Sequence, residues 1–392
     1  MVLVYIICGY NMESAELDKI IEELDSLIEK NDFKKLEKTC RDLVNKHPQE
    51  AHFLFYLARA ENALDDKKSA LEHYTQTIKL NDEYQHAYNN RGLIYLQQGQ
   101  YKDAMEDFNK AIKLNEQDFT AWNNRGLLKN ELGDLNGALD DYTKAIDLYP
   151  KWPVAFNNRG YVSYKLKNYT QAIKDFNKSI ELKSDDSYVY YYRGLVKSTI
   201  KDYFGAITDY NSSIDIDPNQ APTYNNRGKL KADIKDYDGA IEDYTKAIEL
   251  KPDWAVAYNN RGKVRSLSGD KEAALKDFDK AIELSPKDMA SLSNRAYLRY
   301  STGDYRGSID DCDKVLKLTP NYALAYCVRG LCRQKLEQYR SALADLKQAS
   351  KLSNDDFKLQ ESIMLLEAMI EEKKDGKTNS KFIDNITNIF KF

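Results

Sequence analysis

The sequence Asn-Asn-Arg-Gly (NNRG) recurs along this chain at multiples of 34 residues. It occupies residues 89–92, 123–126, 157–160, 225–228 and 259–262, and YYRG at 191–194 fills the one gap in the 34-residue step. The same frame passes through FYLA at 55–58, SNRA at 293–296 and CVRG at 327–330, so ten repeats of 34 residues tile 17–356 without an insertion. A fixed period of this length predicts a stacked array in which each repeat buries its apolar face against its neighbours.

Each repeat contains two amphipathic stretches separated by a short break. In the repeat that begins at Gln85, apolar residues fall at helical spacing before the break QQGQY (97–101) and again after it. The pattern predicts two helices of about 13 residues in every repeat, and therefore an all-α fold. Prolines recur near the ends of repeats, where a proline stops a helix; they are Pro150, Pro218, Pro252, Pro286 and Pro320.

The chain resembles the tetratricopeptide repeat (TPR) family, whose pattern is an aromatic residue, a small residue four positions later, A-x-x-x-F and a proline. Two repeats carry it as Trp122, Gly126, Ala138, Tyr142, Ala145 and Pro150, and as Tyr224, Gly228, Ala240, Tyr244, Ala247 and Pro252. The resemblance implies an α-solenoid of about ten repeats, a right-handed superhelix whose first helices line the concave groove. The family's usual leucine before the glycine is an arginine in this chain.

The frame and its flanks predict how the chain is organised. We expect an N-terminal extension at 1–16, a degenerate capping repeat at 17–50, nine tandem repeats at 51–356 and a capping helix at 357–374. A linker and a short amphipathic tail follow at 375–392, with Phe382, Ile386, Ile389 and Phe390 on one helical face. This tail is expected to bind a partner, to occupy the array's own groove or to remain disordered.

An arginine precedes a glycine in seven repeats and an alanine in one, and each of these eight repeats has an aspartate sixteen residues later. The pairs are Arg91 with Asp107, Arg125 with Asp141, Arg159 with Asp175, Arg193 with Asp209, Arg227 with Asp243, Arg261 with Asp277, Arg295 with Asp311 and Arg329 with Asp345. The repeat at 51–84 has Leu57 and His73 in these positions. Because the two residues are present together or absent together, we expect a structural ion pair inside each hairpin, in which the guanidinium fork matches a carboxylate.

The opposite side of each first helix carries little charge. Positions two, five, six and nine lie together there and are called the first-helix face; in one repeat they are His86, Asn89, Asn90 and Leu93. Position six is an asparagine in six repeats, as Asn90, Asn124, Asn158, Asn226, Asn260 and Asn294. A carboxamide can donate to and accept from a peptide unit, and the pattern is similar to asparagine ladders that hold extended polypeptides in TPR superhelices. The sequence predicts a peptide-binding ladder; the alternative is that these asparagines bond to neighbouring helices.

The stretch SYVYYYRG interrupts this ladder at 187–194. Tyr188, Tyr191 and Tyr192 fall on the first-helix face, and Tyr161 and Tyr164 lie one repeat earlier. Amphipathic aromatic residues are favoured interaction anchors. The tyrosines at 161, 188, 191 and 192 are therefore predicted to form an aromatic patch in the groove, with simple packing between repeats as the alternative.

The carboxylate clamp of chaperone-binding TPR domains is a competing type of ligand site. Asn294 and Arg295 fit its middle repeat, but the clamp also requires Lys and Asn in the repeat before and Lys and Arg in the repeat after. The corresponding residues are Asn259 and Lys263 before, then Leu324 and Val328 after. The sequence does not support this clamp.

Composition argues against several other functions. The 58 basic and 62 acidic residues are interspersed, without the basic stripe of a nucleic-acid binder. The five cysteines lack the spacing of a disulfide framework or a zinc site, and no catalytic or phosphate-binding motif is present. We therefore expect no enzymatic activity, cofactor or metal. No run of about 18 apolar residues occurs, and the expected location is cytoplasmic, with membrane contact possible only through the tail.

Together these patterns predict a protein–protein interaction scaffold that binds an extended peptide or partner segment along the groove. The alternative is a structural spacer or assembly subunit that acts through its ends and its convex face. Nothing in the sequence identifies the partner.

Overall fold

A computed structural model describes residues 14–183, 185–353 and 357–374. These residues form helices joined by short connections, without a strand. The first helices of the ten repeats are α1 (Ser14–Glu29), α3 (Ala51–Ala63), α5 (Gln85–Gln97), α7 (Phe119–Glu131), α9 (Pro153–Lys165), α11 (Ser187–Thr199), α13 (Ala221–Asp233), α15 (Ala255–Ser268), α17 (Met289–Thr302) and α19 (Ala323–Lys335). The second helices are α2 (Phe33–Lys46), α4 (Lys67–Leu80), α6 (Tyr101–Leu114), α8 (Leu135–Leu148), α10 (Tyr169–Leu182), α12 (Tyr203–Ile216), α14 (Tyr237–Leu250), α16 (Lys271–Leu284), α18 (Tyr305–Leu318) and α20 (Tyr339–Leu352).

The prediction of an all-α repeat fold is confirmed, with two helices in every repeat. By their contacts the helices divide into two compact parts, an N-terminal half that extends to Val196 and a C-terminal half that begins at Lys197. No helix in the described ranges is both long and apolar enough to cross a lipid bilayer.

Local sequence fixes where the second helices begin and end. The Asp134 side chain accepts a hydrogen bond from the backbone N–H of Gly137 at 3.0 Å and so caps α8. Asp236 caps α14 in the same way, by accepting from Gly239 at 3.1 Å. Each recurring proline stands two residues beyond the last helical residue, as Pro150 does after Leu148, where it cannot continue the helix.

The two helices of a repeat contact each other at the glycine of the NNRG sequence. A Cβ atom placed on Gly126 would lie 2.8 Å from the Tyr142 ring, and one placed on Gly160 would lie 2.9 Å from the Phe176 ring. Any side chain at these glycines would push the hairpin apart. The apolar core then continues into the next repeat, where Ile146 of α8 packs with Phe156 of α9.

The ends of the array are covered by their own helices. In α1 and α2, Leu24, Leu36 and Cys40 are fully buried, and α1 begins at Ser14, three residues before the predicted repeat boundary. A final helix, α21 (Phe357–Lys374), packs Ile363 and Leu366 against α20. Residues 1–13 of the predicted extension and the predicted tail at 375–392 lie outside the described residues.

The turn between the two helices of a repeat requires a left-handed residue. Gly99, Gly133, Gly269 and Gly303 supply it in four repeats, whereas others place Lys167 (φ 61°), Lys201 (φ 66°) and Lys235 (φ 67°) there. An L side chain in this region costs about 1–2 kcal/mol.

Lys235→Gly should therefore raise the free energy of unfolding by roughly 0.5–1 kcal/mol, because relief of the left-handed strain exceeds the entropy lost by glycine. The midpoint of urea unfolding measures the change. The control is Lys246→Gly in the middle of α14, which should lower stability by about 1 kcal/mol. Equal destabilisation by both substitutions would contradict the assignment of strain to the turn.

Candidate functional site

In seven repeats the arginine binds the aspartate sixteen residues later through two parallel hydrogen bonds. In the repeat at 153–186, Nε of Arg159 donates to one oxygen of Asp175 at 2.9 Å and Nη2 donates to the other at 2.8 Å. Asp175 is 1% exposed, so the pair lies inside the hairpin. The same two bonds are made by Arg91, Arg125, Arg227, Arg261, Arg295 and Arg329.

The third nitrogen of the guanidinium reaches back to the preceding repeat. Nη1 of Arg159 donates to the Thr143 hydroxyl at 3.2 Å, and Nη1 of Arg125 donates to the Asn109 carboxamide at 2.8 Å. The acceptor lies sixteen residues before its arginine in each case: Thr75, Asn109, Thr143, Asn177, Asn211, Thr245, Asp279 and Asp313. Each of these arginines thus connects two neighbouring repeats.

This acceptor position was not predicted from the sequence, although the pattern that indicates it is present. Every second helix that precedes one of the eight arginines has Thr, Asn or Asp two residues after the Asp position, whereas the last repeat, which no such arginine follows, has Lys347 there. The arginine therefore holds three helices together, its own two and the second helix before them.

A second cation binds the same aspartate in six repeats. It stands four residues after the arginine, as when Lys129 approaches Asp141 at 2.8 Å. The six cations are Lys129, Lys197, Lys231, Arg265, Arg299 and Arg333. In the repeat at 153–186 this position is Ser163, and Asp175 instead accepts a hydrogen bond from Gln171 at 2.9 Å.

The repeat at 85–118 also lacks the second cation, because Tyr95 occupies its position. Burial raises the pKa of the Asp107 carboxyl above its usual value, and the hydrogen bonds and charge of Arg91 offset this only in part. Burial opposes the charged form of Arg91 as well, but the bond to Asp107 raises the net pKa of the guanidinium. Arg91 therefore remains charged, and Asp107 depends on it more than Asp141 depends on Arg125.

The junction between the first two repeats carries the same contact with its charges reversed. Glu61, which is 1% exposed, occupies the position of the second cation in α3. It lies 2.6 Å from Nδ1 of His73 and accepts a hydrogen bond from Arg41 at 3.0 Å. His73 stands in the aspartate position and Arg41 in the acceptor position of the preceding repeat. The pair that sequence analysis treated as absent is replaced by an acid on the first helix and bases on its two neighbours.

The predicted asparagine ladder makes hydrogen bonds between repeats. Nδ2 of Asn124 donates to Asn89 at 3.0 Å, and Nδ2 of Asn158 donates to Asn123 at 2.9 Å. Position six therefore bonds to position five of the repeat before. Asn260 and Asn294 repeat the contact with Asn225 and Asn259, at 3.0 and 2.9 Å.

The remaining two ladder residues differ. Asn90 lies 3.4 Å from the Tyr74 hydroxyl, and Asn226 accepts from Asn225 at 3.4 Å. The observed geometry is thus the alternative in which the asparagines bond to neighbouring helices, because a carboxamide is as good a partner for another carboxamide as for a peptide unit. Contact of these side chains with a bound polypeptide stays a prediction.

The tyrosines at the interruption pack together within the N-terminal half. The Tyr192 ring lies 4.9 Å from Tyr161 and 5.2 Å from Tyr191, measured between centroids, and stacks on Phe176 at 6.4 Å. Because Tyr192 replaces the asparagine at position six, Oδ1 of Asn157 is buried without a hydrogen-bond partner. Tyr188, by contrast, is 56% exposed. Packing between repeats accounts for Tyr192, while Tyr188 remains available to a partner.

Several exposed residues of the first-helix face are apolar, and they were missed as a group. Position two is Val154, Tyr188, Val256 and Leu324 in four repeats, with exposed fractions of 45, 56, 52 and 51%. Nearby, Tyr297 at position nine is 50% exposed. These residues could have been found from the sequence, because valine, tyrosine and leucine occur at a position that helical periodicity places away from the core.

Comparison with known proteins identifies the repeat. The tetratricopeptide repeat model matches residues 87–118, 119–151, 153–186, 221–253 and 255–288. The pilF protein of Pseudomonas aeruginosa is 21% identical over 55% of this chain and 98% of that chain, with a TM-score of 0.51. YrrB, described as a TPR protein with an unusual peptide-binding site, is 26% identical over 48% of this chain and 97% of its own, with a TM-score of 0.43. Yeast Tom70 is 16% identical over 93% and 98%, with a TM-score of 0.42.

Among curated proteins, none matches the sequence at a significant level. The similarity to pilF therefore supports the fold, and the function must be argued from the residues of this chain.

Arg159→Ala should destabilise the chain more than Arg227→Ala. The first leaves the buried Asp175 with Gln171 alone, whereas the second leaves Asp243 with Lys231 at 3.0 Å. Breaking a buried pair costs roughly 3–5 kcal/mol, and we expect Arg159→Ala to approach this value in urea unfolding. Exposed Arg306→Ala is the control and should change little. Equal effects of the two buried substitutions would contradict a role for the second cation.

Glu61→Ala should also destabilise the N-terminal repeats, because it leaves Arg41 and His73 without their shared acid. We expect a loss of roughly 2–4 kcal/mol, measured as faster amide hydrogen exchange in α2, α3 and α4. Glu72→Ala, on the exposed side of α4, is the matched control. Unchanged exchange in Glu61→Ala would show that the reversed contact is dispensable.

Proposed function

We propose that this chain, which belongs to the tetratricopeptide repeat family, is an interaction scaffold that binds an extended segment of a partner protein across its first-helix face. The observation that carries the proposal is the exposed apolar row at position two, which occurs in the adjacent helices α9 and α11 and again in α15 and α19. Apolar contacts at the same position of several first helices suit a partner that crosses these helices.

The charge distribution supports this choice of face. The arginines of the first helices are directed to aspartates of the second helices, so their charge is largely neutralised inside the hairpins. The outward side of the second helices is instead rich in exposed ion pairs, such as Lys276 with Glu272 and Lys280 with Glu283. A weakly charged face with exposed apolar side chains is the easier one to desolvate on binding.

The asparagines beside the apolar row suit a polypeptide backbone. The bond from Asn158 to Asn123 uses one of the two N–H groups of the carboxamide, and its oxygen can accept further hydrogen bonds. The row supplies apolar contact area while the carboxamides supply polar contacts that do not depend on the partner's side chains. Within the N-terminal half, Tyr188 is the largest exposed anchor of this face.

A selection from a random peptide phage library on the full chain tests the proposal. A peptide that is enriched should bind the wild-type protein in fluorescence anisotropy. A variant with Val154→Glu and Val256→Glu should bind it about tenfold or more weakly, since loss of an anchor costs more than about 1 kcal/mol. Both valines are about half exposed, so the fold should be retained, as checked by circular dichroism.

Phe204→Glu is the control, because Phe204 is 76% exposed on a second helix rather than on the first-helix face. It should leave peptide affinity unchanged. If no peptide is enriched, or if Phe204→Glu and not the valine variant weakens binding, the proposal falls. The second result would favour a spacer or assembly subunit that acts through its convex face.

A further inference from the structure

We infer that the first-helix face of the C-terminal half takes a partner segment that carries carboxylate side chains beside apolar ones, with Lys229 and Lys263 as the contacts for the carboxylates. The inference rests on the proposed function and names the chemistry of the segment that this half binds. The first helices of this half are α13, α15, α17 and α19.

Lys229 and Lys263 occupy position nine of α13 and α15, and both are exposed. Their basic neighbours are committed to the hairpins, since Lys231 contacts Asp243 at 3.0 Å and Arg265 contacts Asp277 at 2.8 Å. Among the described residues, no ion pair involves Lys229 or Lys263. These two ammonium groups are the basic charges that the first-helix face of this half leaves to solvent.

The same position is apolar in four first helices of the other half, as Leu93, Leu127, Tyr161 and Leu195 in α5, α7, α9 and α11, whereas α3 has Arg59 there and α1 has Asp25. The contrast shows that the architecture of the repeat does not require lysine there. The four first helices of the C-terminal half contain one acidic residue, Asp233. The charge that remains on this face after the internal pairs are counted is therefore positive.

Lysine, asparagine and an apolar residue form one stripe along α13 and along α15. In α15, Val256, Asn260 and Lys263 stand at positions two, six and nine, about 10 Å from end to end at 1.5 Å per residue. Successive side chains of an extended segment point to opposite sides. A segment that crosses α13 and α15 over the asparagines can thus direct apolar side chains toward Val256 and carboxylates toward Lys229 and Lys263.

The position of the lysines also indicates where the carboxylates lie in the partner. At the places where a carboxylate clamp needs Lys and Arg, α19 has Leu324 and Val328, of which Val328 is buried. The contacts expected here are with side-chain carboxylates within a segment. A free chain terminus is not required, so an amidated peptide should bind as well as one with a free carboxyl end.

The test uses a fluorescein-labelled, C-terminally amidated peptide with three copies of Glu-Val-Glu-Pro, and a second with Gln in place of every Glu. Anisotropy should show the full chain binding the Glu peptide at least threefold more tightly at low salt, with the difference shrinking as salt screens the charges. Lys229→Gln with Lys263→Gln should weaken binding of the Glu peptide by about 3- to 10-fold and leave the Gln peptide unaffected.

Lys246→Gln with Lys280→Gln is the matched control, because it removes the same charge from second helices, where the lysines pair with Glu249 and Glu283. It should change affinity less than twofold. If both double variants weaken the Glu peptide equally, or if the Gln peptide binds as tightly as the Glu peptide, the inference is overturned while the proposed function stands. If neither peptide binds and the phage selection enriches none, both are overturned.

Discussion

The contact on which most of the array depends is made by the guanidinium of the arginine in eight of the ten first helices. Two of its nitrogens bind the aspartate of the same hairpin, and the third binds an acceptor of the preceding repeat, as Arg159 does with Asp175 and Thr143. Each partner stands sixteen residues away, on either side of the arginine. A repeat with one residue inserted or deleted would leave a buried carboxylate unpaired at a cost of several kcal/mol, which accounts for the constant 34-residue period of the eight repeats that carry the pair.

This use of polar groups decides what remains on the surface. The arginines and much of the asparagine hydrogen bonding serve contacts between helices and between repeats, so the side chains that stay exposed on the first-helix face lie at its edges. One edge is the apolar row represented by Val154 and Val256. The other edge changes along the chain, from Leu127 to Lys263. The asparagines in the middle of the first-helix face are common to many repeats, whereas the residues at its two edges differ between repeats.

Much of the fold and of the contacts between helices could be predicted from one sequence, because its ten repeats can be aligned with one another. The period gave the helices and their boundaries, and the joint presence of arginine and aspartate pointed to their contact. The acceptor position represented by Thr143 was missed because it is occupied by three different residue types, Thr, Asn and Asp, although all three accept a hydrogen bond. The contact between Asn158 and Asn123 could not be predicted with certainty, because sequence does not show whether a carboxamide faces water or another carboxamide. Glu61 was missed because its charge is opposite to that of the residues it replaces.

The reversed contact of Glu61 also bears on how such an array can change in length. The internal repeats present an arginine donor at one junction and an acceptor at the other, so one of them can be duplicated or lost and the new neighbours still match. The first junction does not permit this, because Arg41 would meet the arginine of an internal repeat, and Glu61 would meet an acceptor or an aspartate instead of a base. The N-terminal pair of helices therefore has one permitted neighbour. In evolutionary terms, gain or loss of whole repeats is expected among the internal repeats, while the repeats at 17–50 and 51–84 stay together.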